Sequence, residues 1–576
     1  MSEEFKDNMI WNIAQPDPTK IRNLARKLNI PGILAGLLLN RGIHSEEPAK
    51  SFLEPQLKDL HDPFLLCDLD KAVKRIQQAI KQTQKILIYG DYDVDGNTAV
   101  VILKKALQML GANCSYYIPR RFIDGYGLQT SILQKAVNQG VRLVITVDTG
   151  IRAFESIQKA RQLGLDCIIT DHHLPENGLP NALAIVNPNR TDCLYPDKNL
   201  SGVGVAFKLI QALFIQEKKE KYLPSFLKVV AIGTIADLVP LIGENRIFAK
   251  LGLEGLMTPS NPGLKSLIKA VGLEGKVITS TDISFRLAPR INAVGRMGGS
   301  CEAVELFITK DQEEANQLAT KMGQLNQERQ FIENQILEKI LQQIDSNPDL
   351  AKAPIKVIDG ENWHLGVLGI VASKITDRFN CPTLIISKID KMGSGSGRSP
   401  KGFHLLKALS SCHDLFERFG GHAQAAGFQL PADKIGELRE RINQHARLTL
   451  DSKPTERSLN VDGELRLSDI DTEIYRNIQR LSPFGNENPS PLFVARNVTL
   501  IAEPRILKQK HLKFRVEQDG KAIDALAWNF ANYLPTIQES SGVISLAFEL
   551  SENLQPGYRL LQSKDLQLVV RDIHVH

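Results

Sequence analysis

The sequence predicts an α/β protein with a mostly parallel sheet domain, a second α/β domain joined to it by a long helix, and a small β-rich domain at the end of the chain. Three observations support this prediction. From residue 85, short apolar runs alternate with amphipathic stretches, and residues 311–344 contain little Gly and no Pro. After about residue 460, short strand-like runs are separated by turn residues. Strands that alternate with helix-length segments are typical of β-α-β units, and 576 residues are too many for a single core.

The elements of the first two thirds follow from the apolar periodicity. Two peripheral helices are expected near the N-terminus, at Ile21–Leu28 and Gly32–Leu39. The predicted strands of the first sheet are Lys85–Tyr89, Cys114–Ile118, Val141–Val147, Leu165–Thr170 and Ala182–Val186. The predicted helices of that domain are Thr98–Leu110, Ser131–Asn138, Phe154–Leu163, Val203–Phe214 and Phe226–Ile235.

The remaining elements define the other domains. Residues 311–344 are predicted to form one long connecting helix, or two helices in line, and a second α/β segment opens at Ile355–Ile358. The C-terminal strands are predicted at Pro491–Ile501, Lys510–Val516, Ile523–Trp528 and Val543–Phe548, as in a small antiparallel barrel or sandwich. The resulting domains are 1–55, 56–310, 311–345, 346–450 and 456–576. The Gly/Ser-rich stretch 391–401 is too short to be an interdomain linker.

Composition excludes several classes of protein. The formal charge of +5 permits a polyanionic partner without requiring one. The seven cysteines stand singly, with no C-x-x-C pair, which argues against a zinc knuckle or a disulfide framework. No apolar run resembles a signal peptide or a membrane span, so we expect a cytoplasmic protein without membrane contact. P-loop, H-E-x-x-H and dinucleotide-binding motifs are absent from the sequence.

Acidic residues and histidines follow the predicted strands of the first sheet. Asp91, Asp93 and Asp95 follow the first strand, Asp148 follows the third, Asp171, His172 and His173 follow the fourth, and Asp237 ends a later apolar segment. In open parallel sheets, ligands bind at the carboxyl ends of the strands, so these side chains are expected to converge.

Clustered carboxylates repel one another unless a cation lies among them. An oxygen-rich site with one or two histidines suits Mn²⁺ or Mg²⁺ better than Zn²⁺. The number of acids is sufficient for two ions, and a two-ion site is a common solution for phosphodiester hydrolysis.

Each part of this pattern has an alternative interpretation. Asp91-x-Asp93-x-Asp95-Gly96 matches the first half of a calcium-binding EF loop, but Ile102 stands at the twelfth position and a strand precedes the loop. Asp148 and Asp171 could be helix caps, and the two histidines could be polar loop residues. These interpretations would have to coincide on consecutive strand ends, which favours a shared site.

These motifs resemble those of the DHH phosphoesterases. The four that match are Gly90–Gly96, Val147–Gly150, Asp171–His173 and Ala236–Pro240. Segments Gly420–Gly427, Gly395–Ser399 and Trp363-His364-x-Gly366 resemble the DHH-associated domain, which commonly follows. Segments Arg290–Met297, Pro119–Arg121 and Gly125-Tyr126-Gly127-Leu128 are similar to a branch of this family that degrades single-stranded DNA and carries a C-terminal OB-like domain.

The resemblance implies roles for the acidic cluster. It implies metal ligands at Asp93, Asp95, Asp148, His172 and Asp237, with Asp148 bridging two ions. It places His173 opposite the scissile phosphate, and we expect Asp171 to fix the two histidines. Asp91 is either a further ligand or an acid that orders the loop.

The resemblance also implies phosphate-binding residues. These are Arg121, Arg296, Ser396 and Arg398, which would hold DNA phosphates including the 5′-terminal one, and His422 within the glycine-rich segment. Arginine suits this task because its planar fork binds phosphate bidentately. Arg120 is an alternative to Arg121, and His422 could instead be a buried turn residue.

The C-terminal domain carries a basic run of its own. It comprises Lys508, Lys510, Lys513 and Arg515, preceded by Arg505. In a strand, Lys513 and Arg515 share one face while Leu512 and Phe514 share the other, which suits a barrel wall that tracks a phosphate backbone. The alternative is a solvated charged face.

The expected function is therefore 5′→3′ hydrolysis of single-stranded DNA to mononucleotides in repair and recombination, with two Mn²⁺ or Mg²⁺ ions. The polarity comes from the resemblance alone. A phosphodiesterase for short oligonucleotides or cyclic dinucleotides, and an inactive DNA-binding relative, are the alternatives. We expect a monomer that cooperates with a single-strand-binding protein and a repair helicase. Because Asp237 is the last predicted ligand, the C-terminal domain is expected to be dispensable for the metal site.

Overall fold

The computed structural model describes residues 9–121, 123–125, 127–176, 178–449, 458–539, 542–553 and 566–576. It confirms the predicted fold class, with two α/β domains, a long helix between them and a C-terminal barrel. The predicted boundary at 450–456 lies outside the described residues.

The first α/β domain is built on a fully parallel sheet. Before it come β1 (Ile10–Ile13), α1 (Pro18–Leu28), α2 (Gly32–Asn40) and α3 (Glu46–Leu53). The domain contains α4 (Leu69–Lys81), β2 (Lys85–Tyr89), α5 (Val94–Met109), β3 (Cys114–Tyr117), α6 (Thr130–Asn138), β4 (Val141–Val147), α7 (Phe154–Gln162), β5 (Asp166–Thr170), β6 (Ala184–Val186), α8 (Gly202–Gln216), α9 (Leu227–Ala236), α10 (Gly243–Leu256), α11 (Pro262–Ala270), α12 (Ser280–Asp282), a π-helix (Ile283–Leu287), α13 (Ala288–Arg296) and α14 (Glu302–Ile308).

The order of the strands positions the site. The five strands lie in the order β3-β2-β4-β5-β6, and all neighbours are parallel. The chain reverses its direction of winding between β2 and β4, and ligands of doubly wound sheets bind at such a switch point. Helix α5 begins at Val94, earlier than predicted, because the Asp93 carboxylate caps it by accepting a hydrogen bond from the Gly96 amide at 2.9 Å.

The connector and the second α/β domain follow. They comprise α15 (Gln312–Ser346), α16 (Pro348–Lys352), β7 (Lys356–Glu361), α17 (Leu365–Phe379), β8 (Thr383–Ile389), β9 (Met392–Arg398), α18 (Leu405–Ser410), β10 (Arg418–Gly421), β11 (Ala425–Pro431) and α19 (Ile435–Thr449). The 35 residues of α15 span about 50 Å. Its first half packs in the core of the first domain and its second half packs against α17, so one rigid helix belongs to both cores.

The Gly/Ser-rich stretch of the second domain is a strand. It forms β9, which pairs with β8 on one side and β11 on the other in a five-stranded sheet. The glycines are needed for packing, since a Cβ at Gly395 would overlap the Phe428 ring. The sequence does not predict an interdomain linker here, but it also does not reveal that the segment is the central strand of a sheet.

The C-terminal domain is a barrel. Its elements are β12 (Ser458–Val461), β13 (Gly463–Glu464), α20 (Thr472–Gln479), β14 (Phe493–Leu507), β15 (His511–Gln518), β16 (Lys521–Ala527), α21 (Leu534–Gln538), β17 (Val543–Glu552) and β18 (Leu566–Val575). The sheet closes because β14 pairs with both β15 and β17. The parallel pairing of β16 with β18 was not predicted from the sequence.

The N-terminal helices are integrated into this barrel rather than peripheral to it. Strand β1 pairs in parallel with β12. Leu34, Leu37 and Leu38 of α2 are buried in the same core as Leu467 and Phe514. The two ends of the chain thus form one unit.

Candidate active site

The predicted acids and histidines converge at the carboxyl edge of the first sheet. His172 Nε2 lies 3.2 Å from Asp148 Oδ1, 3.7 Å from Asp237 Oδ2 and 3.9 Å from Asp95 Oδ2. A second group of ligand atoms, from Asp91, Asp93 and Asp148, lies within 4.8 Å of one another. Asp148 belongs to both groups and is therefore the geometric link between two adjacent sites.

Asp148 is held by an unusual backbone. Its φ of 59° lies in the left-handed region, and its amide donates to Thr170 O at 3.0 Å. Asp and Asn tolerate this conformation better than most residues. Gly202 faces its carboxylate so closely that a Cβ there would overlap it.

Asp95 is oriented by the start of helix α8. Its carboxylate accepts hydrogen bonds from the amides of Gly202 at 2.6 Å and Val203 at 2.8 Å. The positive end of the helix dipole favours a negative charge here. Burial, with the Asp93 charge, nevertheless raises the pKa of Asp95 to about 7.

The histidines are oriented by Asp171, as expected. One oxygen of this buried carboxylate accepts from the amides of His172 and His173 and lies 2.7 Å from His173 Nδ1, while the other accepts from Ile151 N at 2.9 Å. Burial alone would raise the pKa of Asp171, but the hydrogen bond and charge of His173 hold it below its usual value. Burial and the His173 charge lower the pKa of His172 to about 4, so at neutral pH it is a neutral imidazole, the form that binds a metal.

The donor set fits divalent cations. Asp148 Oδ1 and Asp237 Oδ2 are buried and accept no hydrogen bond from the part of the chain that the structure describes. Burial and neighbouring carboxylates raise the pKa of Asp148 and Asp237 well above the usual value, and burial with Asp93 raises that of Asp91 to about 8. Buried acids that repel one another and lack donors are the environment that a cation neutralises.

Opposite the acids lies a group of cations from three parts of the fold, which we call the arginine cluster: Arg121, Arg296 and Arg398. Burial and the charges of Arg121, Arg329 and Arg398 lower the pKa of Arg296 to about 10. Arg296 donates to Gly366 O at 3.0 Å across the two α/β domains, and Arg398 Nη1 lies 3.2 Å from Ser396 Oγ. No carboxylate pairs with the cluster among the described residues, which suits a phosphate ligand.

The alternatives for two residues can be compared on this geometry. The Arg121 guanidinium lies 5.1 Å from the centre of the Tyr92 ring, whereas Arg120 is exposed and pairs with Asp124 at 3.5 Å. The structure therefore places Arg121 and not Arg120 with the other arginines. Tyr126 of the same segment lies outside the described residues.

His422 belongs to the second domain. It follows Gly421, whose φ is 146°, and it is exposed rather than buried in a turn. Partial desolvation and the charges of Arg152 and His173 lower its pKa. Beside His173 and Arg152 a cavity of about 410 Å³ opens, also lined by Phe154.

The basic run of the barrel divides into two pairs. Lys513 and Arg515 project from β15 toward Asp524 of β16, at 3.3 and 3.8 Å, while Leu512 and Phe514 are buried as the alternation predicts. Lys508 and Lys510 are exposed at the β14–β15 turn, and no carboxylate pairs with them in the described ranges. The turn pair is thus the more available for an anion.

Some site residues have little signal in the sequence. Arg329 lies in α15, where its spacing is that of a solvated helix face, yet it is buried and donates to Glu333 at 2.7 Å and Asn326 at 3.0 Å. Gly202 had a usable signal, since Ser201-Gly202-Val203-Gly204 is a capped helix start with two glycines.

Comparison with known proteins supplies the family. Three family models match: the DHH family N-terminal domain at 85–234, the DHHA1 domain at 351–447 and the RecJ OB domain at 461–572. Single-stranded-DNA-specific exonuclease RecJ of Bacillus subtilis is 40% identical over 98% of this chain and 71% of its own length. The protein of the same name from Escherichia coli is 34% identical over 92% of this chain and 95% of its own length. The chain belongs to the RecJ family.

Solved structures of the RecJ family agree with the fold. RecJ from Thermus thermophilus in complex with Mn²⁺ matches with a TM-score of 0.83 and 30% identity over 99% of this chain and 80% of that one. The Mg²⁺ complex of RecJ from the same organism has a TM-score of 0.77. Those two ions are the ones expected for this donor set.

Proposed function

We propose that this chain is a single-strand-specific DNA exonuclease that hydrolyses its substrate from the 5′ end and releases mononucleotides. One observation carries the proposal. A two-part acidic site with unsatisfied buried oxygens lies near the arginine cluster, since the Arg121 guanidinium is 5.1 Å from the ring of Tyr92, which stands between Asp91 and Asp93. A phosphodiester and a neighbouring phosphate can therefore be bound at the same time.

The ligand assignment follows from two of the three groups of possible ligand atoms; the third group is Asp148, His172 and His173. Asp95, His172 and Asp237 would hold one ion, and Asp91, Asp93 and Asp148 the other, with Asp148 shared. When bound, the ions supply charge neutralisation at the attacking and leaving oxygens of a phosphodiester. The closeness of Asp91 to Asp93 and Asp148 supports Asp91 as a ligand, the first of the two roles that the family pattern leaves open for it.

His173 would act on the phosphate. Its Nδ1 donates to the ionised Asp171, which fixes the ring and leaves Nε2 for the phosphate. Nε2 donates to a phosphate oxygen when the ring is protonated. Partial burial opposes protonation, but the Asp171 hydrogen bond outweighs it and raises the pKa of His173.

The polarity would come from the arginine cluster. A terminal phosphate carries up to one charge more than an internal one, and arginines without carboxylate partners favour that extra charge. Ser396 lies beside Arg398 and can donate to the same phosphate. His422 lies on the same side of the substrate as Ser396 and Arg398, because its amide donates to Ala425 O and Ala425 pairs with Arg398, and it would contact a neighbouring part of the strand.

The C-terminal barrel supports a long substrate. Its exposed turn lysines and the aromatic Trp528, 48% exposed beside His511, provide charge and a stacking surface for single strands. This favours long strands over dinucleotides as substrates. Cooperation with a single-strand-binding protein and a repair helicase, a cytoplasmic location and a monomeric state belong to the same proposal. Among the described residues, no helix has the length and apolarity to cross a membrane.

Digestion of end-labelled DNA tests the proposal. With Mn²⁺ or Mg²⁺, a 5′-labelled single strand should give labelled mononucleotide from the first moments, whereas a 3′-labelled strand should shorten gradually. Blunt duplexes should resist, and chelator should stop the reaction. Release of 3′ label first would refute the polarity, and faster cleavage of dinucleotides than of long strands would favour the short-substrate alternative.

A further inference from the structure

Asp237 is supported differently from the other candidate ligands. It follows helix α9 instead of a strand, and the next residue, Leu238, has a φ of 60° and is 66% exposed. Within the first domain its backbone is held at the start by a hydrogen bond from Asp237 N to Gly233 O at 2.9 Å. The segment after it, residues 238–241, has two more hydrogen bonds within the first domain, from Leu238 N to Ile235 O at 3.4 Å and from Asn245 Nδ2 to Pro240 O at 3.1 Å. Its other hydrogen bonds come from contacts with a distant part of the chain.

Those contacts come from the C-terminal domain. Asn486 Nδ2 donates to Leu238 O at 2.9 Å, and Asn486 O accepts from Leu241 N at 2.8 Å. A single residue thus hydrogen-bonds to the backbone on both sides of Val239-Pro240. We call this segment after Asp237, residues 238–241, the ligand loop. The neighbouring Gly485 packs directly on Leu241, where a Cβ would approach Leu241 Cδ1 to 2.6 Å.

The segment that contains Asn486, residues 481–488, is stabilised by hydrogen bonds of its own. Gly485 and Asn488 exchange backbone hydrogen bonds at 2.8 and 3.2 Å. The buried Asn488 side chain donates to Leu481 O at 2.9 Å and Pro483 O at 2.8 Å, and its oxygen accepts from Arg41 Nε at 2.9 Å. Every polar atom of the Asn488 side chain is therefore used to shape this turn.

The first domain anchors the same segment at two further points. Arg246 and Lys250 of helix α10 donate to Ser482 O at 3.0 and 3.2 Å. Ser280 Oγ donates to Phe484 O at 2.5 Å. The turn is thus tied to the first domain at α10 and at Ser280 as well as at residues 238–241, so its position affects that segment.

We propose that Asn486 is a positioning residue for the metal centre, which sets the place of the Asp237 carboxylate through the backbone of Leu238 and Leu241. The C-terminal domain then completes the metal site, contrary to the expectation that it is dispensable there. The inference rests on the proposed function, because it assigns Asp237 to a metal ion. Groups that orient ligands typically change metal affinity by about 10–100-fold when removed.

Two full-length variants test this. Asn486→Ala removes the side-chain hydrogen bond to Leu238 O. Asn486→Asp keeps the side-chain volume but replaces the donor by an oxygen that repels Leu238 O. Both should bind Mn²⁺ about 10–100-fold more weakly, measured by electron paramagnetic resonance of free Mn²⁺. Hydrogen exchange of peptides covering residues 237–245 should become faster, and activity should recover as Mn²⁺ is raised.

A matched control is available in the same domain. Asn477 Nδ2 donates to Glu473 O at 3.0 Å within helix α20, so Asn477→Ala removes a similar hydrogen bond that does not involve the ligand loop. Single-strand binding in chelator should be unchanged in all three variants. The proposal is overturned if Mn²⁺ affinity and exchange in Asn486→Asp match those of Asn477→Ala. An inactive wild-type protein would refute the proposed function and leave the Mn²⁺ result standing.

Discussion

Asp148 combines a left-handed backbone, full burial and an oxygen that accepts no hydrogen bond within the described ranges. Such a residue is costly for the metal-free fold, because its charge is desolvated among other acids. Asparagine tolerates the same backbone conformation and has nearly the same volume. The substitution Asp148→Asn therefore isolates the role of the charge.

Asp148→Asn should reduce hydrolysis of single-stranded DNA by more than about 100-fold, or about 2.7 kcal/mol in the barrier. Both candidate ion sites lose a shared ligand, while the arginine cluster is untouched, so strand binding should survive. Single-turnover digestion and fluorescence anisotropy measure the two properties. Asp166→Asn is the control, because Asp166 begins β5 at the opposite end of the sheet and pairs with Arg75. Near-normal turnover of Asp148→Asn would contradict the site assignment.

Arg398→Ala should weaken the preference for a 5′-phosphorylated end more than it weakens binding of internal backbone. A charge-assisted hydrogen bond to the terminal phosphate contributes roughly 1.5–3 kcal/mol, equivalent to about 10–150-fold in affinity. Competition between 5′-phosphate and 5′-hydroxyl strands measures the preference. Arg120→Ala should leave it unchanged, since Arg120 pairs with Asp124 outside the cluster. Equal losses on both strands in Arg398→Ala would argue against an end pocket.

Single residues differ in how far the sequence reveals them. The acids were predictable because they stand directly after apolar runs, where a parallel sheet gathers them. Arg329 and Asn486 were not, since their roles depend on the burial of a helix face and on a contact between distant domains. Neither property can be recognised from the spacing of residue types in the local sequence.

At the scale of elements, strands β2, β4 and β5 are each followed by acidic site residues. The first turns of helices α5 and α8 donate backbone hydrogen bonds to two of the acids that follow β2, Asp93 and Asp95. The strand bounds Lys85–Tyr89 and Val141–Val147 match the prediction because buried parallel strands are continuous apolar runs. Strand β9 was not predicted, because its glycines are required by bulky side chains that pack on them from elsewhere in the sequence. Gly395, for example, faces Phe428.

The raised pKa values of these strand-end acids predict a pH dependence. Asp91 and Asp95 have pKa values of about 8 and 7 in the metal-free fold, against about 4 in unfolded chains. Between those values the folded state binds more protons than the unfolded state, so this contribution makes stability fall as pH rises from about 4 to 8. Mn²⁺ replaces the protons and should therefore raise the melting temperature more at about pH 8 than at about pH 6.

Thermal unfolding with chelator and with Mn²⁺ at the two pH values checks this. Asp148→Asn should be more stable than the wild type in chelator at about pH 8 and should gain less from Mn²⁺, because one repelled charge and one ligand are gone. If Mn²⁺ raised the melting temperature of the wild-type protein equally at both pH values, the raised pKa values of Asp91 and Asp95 would be contradicted.

At the scale of the whole molecule, we propose that the barrel and the two α/β domains bind different parts of the same DNA strand. The exposed Lys508 and Lys510 would then contribute through counterion release, which depends on the number of phosphates neutralised. Lys513 and Arg515 share Asp524 and should contribute less.

Joint replacement of Lys508 and Lys510 by Ala should make the slope of log affinity against log salt shallower by about 0.7 for each phosphate that is no longer neutralised. Cleavage of very short strands should persist, since neither lysine is among the candidate metal ligands. Binding of a long single strand over a salt series measures the slope. Arg571→Ala is the control, because Arg571 is an exposed cation of the same barrel that pairs with Glu549 at 2.6 Å. An unchanged slope would show that the turn is a solvated face.

The joining of the two chain ends has a consequence for biosynthesis. Helix α2, which buries six of its nine residues, leaves the ribosome long before the barrel that covers it. Strand β12 follows about 400 residues later, roughly 20–80 s of synthesis at about 5–20 residues per second. During that interval both α/β domains can fold, while the apolar helix α2 lacks the barrel that later covers it. The newest part of the chain must therefore return to the oldest, and this N-terminal segment is where a nascent-chain chaperone is expected to bind.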